Sequence, residues 1–136
     1  MPTARELYTA GRLDAAIELL AAGGRPGWLV LGDMRELGDD ARALHAEAGR
    51  RAKAAGIARL YAIGPLSAAT VDAFGDGARH FDDHEALAKD LAKDLAKDVA
   101  GIAAGAAPVV LVKGSRGSAM DKVVKALLEG EAADAA

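Results

Sequence analysis

The sequence predicts a three-layer α/β domain: a mainly parallel, doubly wound sheet of about four strands, with helices on both faces. Three observations predict it. Helical and strand patterns alternate along all 136 residues, which requires right-handed βαβ crossovers and a parallel sheet covered on both sides. Two apolar runs, Trp28-Leu29-Val30-Leu31 and Val109-Val110-Leu111-Val112, are continuous rather than alternating, the pattern of strands buried on both faces. Both runs lead to glycine, at Gly32 and Gly114, and to charged loops beyond.

The elements follow in order. Thr3 and Glu6 have capping-box spacing. They open an N-terminal helical segment within residues 1–25, which Gly11 interrupts and which resumes over 14–22 with Ile17, Leu20 and Ala21 on one face. Residues 28–31 form the first strand and 35–40 a polar loop. A helix over 40–56 carries Leu44, Ala48, Ala52 and Ala55 as its apolar stripe and ends at the C-cap glycine Gly56. Arg59-Leu60-Tyr61-Ala62-Ile63 is the second strand, with Gly64-Pro65 as its exit turn. Ser67 is placed to cap a short helix to Phe74, and Ala78-Arg79-His80-Phe81 is a weaker third strand.

Asp82 or Asp83 caps the next helix, over 84–100. Within it Leu-Ala-Lys-Asp occurs three times, beginning at Leu87, Leu91 and Leu95. A four-residue period advances about 40° per repeat on a helix of about 100° per residue. The leucines therefore drift while staying in one apolar sector, and the helix is expected to be a solvated surface helix. Residues 101–107 connect to the fourth strand. A last helix over 120–128 turns Val123, Val124, Leu127 and Leu128 inward, and 131–136 form a frayed tail. One domain is expected to span residues 1–136.

Bulk properties narrow the function classes. The net charge is −3 with mixed signs and aromatics are 4% of residues, so neither a basic stripe nor base-stacking platforms suggest nucleic acid. Cysteine is absent, which removes disulfides and thiolate metal sites. The sequence does not open on a basic segment followed by a long apolar run, and no stretch is long enough to span a bilayer, so a cytoplasmic domain with no membrane partner is expected.

In the doubly wound order the strands run third-second-first-fourth, as in Rossmann-like sheets. The first and fourth become neighbours at the switch point. Gly32-Asp33-Met34 then lies beside Lys113-Gly114-Ser115-Arg116, and a carboxylate meets two cations in one crevice. Lys113 and Arg116 with free backbone N–H groups suit a phosphate or carboxylate; the alternative is that Lys113 and Asp33 neutralise each other. Asp33 could also take a proton, hold magnesium or form an Asx-turn. Glu36 and Gly38 read as loop structure. His45 stands alone on its helix, as a surface or core residue. His80 and His84 have no third partner for a metal. Neither Gly-x-x-x-x-Gly-Lys-Ser/Thr nor Gly-x-Gly-x-x-Gly occurs.

Three segments together carry a resemblance. They are Leu29-Val30-Leu31-Gly32-Asp33-Met34-Arg35-Glu36-Leu37-Gly38, the Leu44-His45 pair, and Val110-Leu111-Val112-Lys113-Gly114-Ser115-Arg116-Gly117. They resemble the C-terminal domain of Mur ligases, in the branch that adds D-Ala-D-Ala to UDP-MurNAc-tripeptide in peptidoglycan synthesis. The similarity runs over residues 14–128. It implies a three-domain enzyme whose first domain holds the UDP-sugar and whose central domain carries the ATP P-loop. The third domain closes over the site and helps to bind dipeptide and nucleotide. The resemblance implies ATP and Mg as cofactors of the full enzyme, and reaction through an acyl phosphate attacked by the dipeptide amine. It also implies that Lys113, Gly114, Ser115 and Arg116 face the dipeptide or phosphates, with Asp33 on the same rim. No catalytic or metal-binding residue is assigned to these 136 residues, and the chain alone is expected to be inactive without the N-terminal and central domains. The family's Tyr-Asn-Ala-Asn-Pro segment is replaced by Tyr8-Thr9-Ala10-Gly11-Arg12, so no cofactor-binding residue is assigned either. The alternative reading is a stand-alone or engineered module that binds a small anion or nucleotide without catalysis.

Overall fold

The computed structural model describes residues 4–34, 38–99, 108–114, 120 and 125. Its elements are α1 (Ala4–Ala22), β1 (Gly27–Gly32), a 3₁₀ turn (Gly38–Asp40), α2 (Ala41–Ala55), β2 (Arg59–Ile63), α3 (Ser67–Phe74), β3 (Ala78–Phe81), α4 (His84–Val99) and β4 (Val109–Lys113). The strands form one parallel sheet in the order β3-β2-β1-β4. This is the expected doubly wound order. Thr3, the connector 101–107, the tail 131–136 and the last helix, apart from Met120 and Lys125, lie outside the described residues.

Strand alternation builds two cores. Leu29 and Leu31 of β1 point to one face, where they join Leu13, Ile17 and Leu20 of α1, Ala48 and Ala52 of α2, and Phe74 of α3. Trp28 and Val30 point to the other, with Tyr61, Ile63, Met120 and the α4 residues Leu87, Ala88 and Leu91. The side chains of Leu29, Val30 and Leu31 are fully buried, each stabilising the fold by roughly 1.5–3 kcal/mol relative to exposure.

Four expectations need correction. Gly11 does not interrupt α1, which is continuous; one helical glycine costs only about 1 kcal/mol against alanine, and helical sequence on both sides carries it through. The buried face of α2 is His45, Ala48, Gly49 and Ala52, with Leu44 and Ala55 at its border. β4 is not buried on both faces: Val109 is exposed and the rest of the strand half-buried, because the winding order puts β4 at the edge of the described sheet. Ser67 does not cap α3. Its hydroxyl is buried without a hydrogen-bond partner, and the cap comes from another element.

The solvated-helix expectation for α4 fails at one residue. Asp94 is 8% exposed. Seven residues beyond Leu87, it returns to within about 20° of that leucine's line, whereas Leu95 is about 80° away. Leu87 and Leu91 are accordingly buried, Leu95 half-buried, and Lys89, Lys93 and Lys97 exposed. The buried carboxylate is satisfied: Tyr61 Oη donates to Asp94 Oδ2 at 2.6 Å, and Arg59 and Arg79 approach the same oxygen at 3.4 and 3.7 Å. Asp83 caps α4 as expected, accepting from Ala86 N–H at 2.7 Å.

Burial, then the bond to Asp94, push the Tyr61 phenol well above its ordinary pKa of 10.0. As pH rises the unfolded chain ionises first, so Tyr61 contributes stability that is full below about pH 10 and is lost above it. Tyr61→Phe is expected to lower stability by roughly 1.5–3 kcal/mol at neutral pH, since it withdraws a hydrogen bond to a charged group. In urea unfolding the gap between variant and parent should narrow above about pH 10. A gap that stays constant would contradict this account.

Candidate functional site

The candidate site is the carboxyl rim of the sheet, where β1 and β4 end side by side. Leu31 pairs with Lys113 in the parallel register, so Asp33 and Met34 emerge next to the residues that follow Lys113. Alternation puts Lys113 on the same face as Leu111, which packs against the α1/α2 core. The Lys113 side chain is half-buried and Gly114 is exposed at the strand exit. Ser115, Arg116, Glu36 and Leu37 lie outside the described residues.

Asp33 is held by backbone. Its Oδ1 accepts from Ser67 N–H at 2.8 Å and its Oδ2 from Leu66 N–H at 3.1 Å. A carboxylate from the β1 exit thus caps α3, at the end where the helix macrodipole is positive. The Asx-turn alternative is not what forms, and the two oxygens orient toward α3 rather than toward Lys113. Each oxygen keeps acceptor capacity for a further donor. The fit depends on Gly64, whose φ is 108° and where a Cβ would stand 2.8 Å from Asp33 Oδ2.

His45 belongs to the same corner and is fully buried. Its Nε2 accepts from Met34 N–H at 3.0 Å and its Nδ1 lies 2.7 Å from the Ala41 carbonyl. Thr70 Oγ1 of α3 donates to the His45 carbonyl at 2.8 Å. The sequence left His45 as a surface or core residue. The available signal was helical spacing: His45, Ala48, Gly49 and Ala52 fit one face of α2 as well as the stripe through Leu44 does.

His80 and His84 are not brought together as metal ligands. His80 Nε2 lies 2.7 Å from the Gly64 carbonyl, to which it donates. Among the described residues no group of three His, Cys, Asp or Glu side chains could hold a metal ion. Among them also, no helix is long and apolar enough to cross a membrane.

Asp33→Ala removes both caps and is expected to destabilise the fold by about 1–2 kcal/mol. Gly64→Ala, at a backbone angle strained for L residues, is expected to cost about 1–3 kcal/mol. Because both act on one contact, the double variant should lose less than the sum, measured as a double-mutant cycle by chemical denaturation. Additive losses would show that the two positions are not coupled.

Residues 9–116 match the family model described as Mur ligase, glutamate ligase domain. The chain is 42% identical over 121 residues to the UDP-N-acetylmuramoyl-tripeptide–D-alanyl-D-alanine ligase of Escherichia coli K12, covering 88% of this chain and 25% of that protein. The Buchnera aphidicola enzyme of the same name is 33% identical over 106 residues, covering 76% of this chain and 22% of that protein. Among solved structures, MurF ligase from Thermotoga maritima in complex with ADP gives a TM-score of 0.69 at 25% identity, over 87% of this chain and 25% of that one. MurF from Acinetobacter baumannii gives 0.77 at 21% identity, over 88% and 26%, a likeness that speaks for the fold alone. The chain spans about a quarter of the length of the curated relatives it matches. The family model and the curated relatives show it: the chain belongs to the Mur ligase family, as its C-terminal domain.

Proposed function

We propose that this chain is the C-terminal, substrate-closing domain of a ligase that adds D-Ala-D-Ala to UDP-MurNAc-tripeptide. The observation that carries this reading is the alignment, through 88% of the chain, with a relative of that name. The same alignment disfavours a stand-alone anion-binding module. Lys113 and Gly114 lie at the rim; with Ser115 and Arg116, which follow them in sequence, they would supply positive charge and backbone and hydroxyl donors. These suit the carboxylate of an incoming dipeptide or the phosphates of a nucleotide. Asp33, oriented by α3, keeps acceptor capacity toward an ammonium group.

ATP and Mg enter this reading as cofactors of the whole enzyme. The Thermotoga maritima neighbour carries ADP. Neither a Walker A sequence nor, among the described residues, a metal-holding group is present here. In this reading the phosphate cradle and the metal ligands come from the central domain, while these residues bind and orient the second substrate.

The test is a chimera in which this chain replaces the corresponding quarter of the Escherichia coli relative. It is expected to release phosphate from ATP only when UDP-MurNAc-tripeptide and D-Ala-D-Ala are both supplied. Lys113→Ala and Arg116→Ala should each lower kcat/KM roughly ten- to hundredfold, the range for losing a charge-assisted hydrogen bond. A folded chimera without turnover would overturn the functional reading, and turnover indifferent to both substitutions would overturn the residue assignment.

A further inference from the structure

The buried imidazole of His45 has no part in the proposed chemistry, yet it joins Met34, just beyond β1, to Ala41 at the start of α2. Met34, just beyond β1, is buried, so its N–H has no water to turn to. It donates to His45 Nε2 at 3.0 Å, and the other ring nitrogen meets the carbonyl of Ala41, the first residue of α2, at 2.7 Å. A peptide N–H can only donate and a carbonyl can only accept, so the ring is held as the neutral tautomer protonated at Nδ1.

The bonds close a circuit. Asp33 holds the start of α3 through Leu66 and Ser67. Thr70 of α3 holds the carbonyl of His45, and the His45 ring holds Met34, the neighbour of Asp33. Helices α2 and α3 approach closely enough for this because Gly49 has no side chain: a Cβ there would lie 3.1 Å from the Ala73 Cβ.

We propose that His45 is a positioning residue, which acts through Met34 to fix where the chain leaves β1 on the rim shared with Lys113. Its bearing on turnover rests on the function proposed above; the clamp itself does not. Two amide substitutions separate the two ring bonds. The oxygen of Gln reaches about as far as Nε2 and keeps the bond to Met34. Asn reaches only as far as Nδ1 and keeps the bond to Ala41.

Amide hydrogen exchange on the 136-residue chain, with turnover of the ligase chimera, tests the proposal. In His45→Gln the Met34 amide should keep its protection, and KM for D-Ala-D-Ala should stay near the parent value. In His45→Asn the Met34 protection should fall about tenfold or more, as for loss of one hydrogen bond. KM should then rise with kcat less affected, although both variants melt at similar temperatures. Equal Met34 exchange in the two variants would overturn the clamp, and equal KM values with only a lowered melting temperature would reduce His45 to a packing residue. If the parent chimera has no turnover, the functional reading fails, and the Met34 exchange comparison still decides the clamp.

Discussion

The carboxylate of Asp33, seated on the first N–H groups of α3, is the interaction on which the carboxyl rim depends. It joins the end of the central strand to a helix that follows the next strand. A charged acceptor at a positive helix end is a strong form of cap. The positive φ and missing side chain of Gly64 leave the carboxylate the space to reach it. His45 then fixes the adjacent residue from the other side. Two consecutive residues at the exit of β1 are thus tied to two different helices.

Under the proposed function the domain closes over substrates held by other domains, and such a surface must present its donors in position, because ordering them on binding would cost affinity. Strand β1, buried along its whole length, provides the rigid support. β4, at the edge of the described sheet, carries the half-buried Lys113, and under the proposed function β1 anchors the rim while β4 presents the lysine to a ligand.

The α4 repeat shows how a simple sequence yields a specific contact. Leu-Ala-Lys-Asp suggests a uniform surface helix, but period four and helical period 3.6 do not match. The mismatch returns Asp94 to the line of Leu87, onto the sheet under Tyr61. Arg59 stacks over Trp28 with its guanidinium 5.0 Å from the ring centroid, while it also pairs with Asp94. A buried carboxylate left alone would be costly; the phenol and two guanidiniums make it tolerable.

Alternation of helix and strand, continuous apolar runs and glycine exits determined the fold class, the strand order and the location of the rim, because these follow from local periodicity and the handedness of crossovers. They also placed Asp33 and Lys113 on neighbouring strand ends. Periodicity could not tell a central strand from one at the edge of the described sheet: Trp28–Leu31 and Val109–Val112 are equally apolar, and only assembly of the sheet buries one and half-exposes the other. Nor could it assign partners across the chain. Asp33 caps a helix 33 residues away, His45 reaches back to Met34, and Asp94 finds Tyr61. Each of these bonds joins residues that only the packed layers bring within 3.1 Å, which is why tertiary structure alone decided how the rim is held.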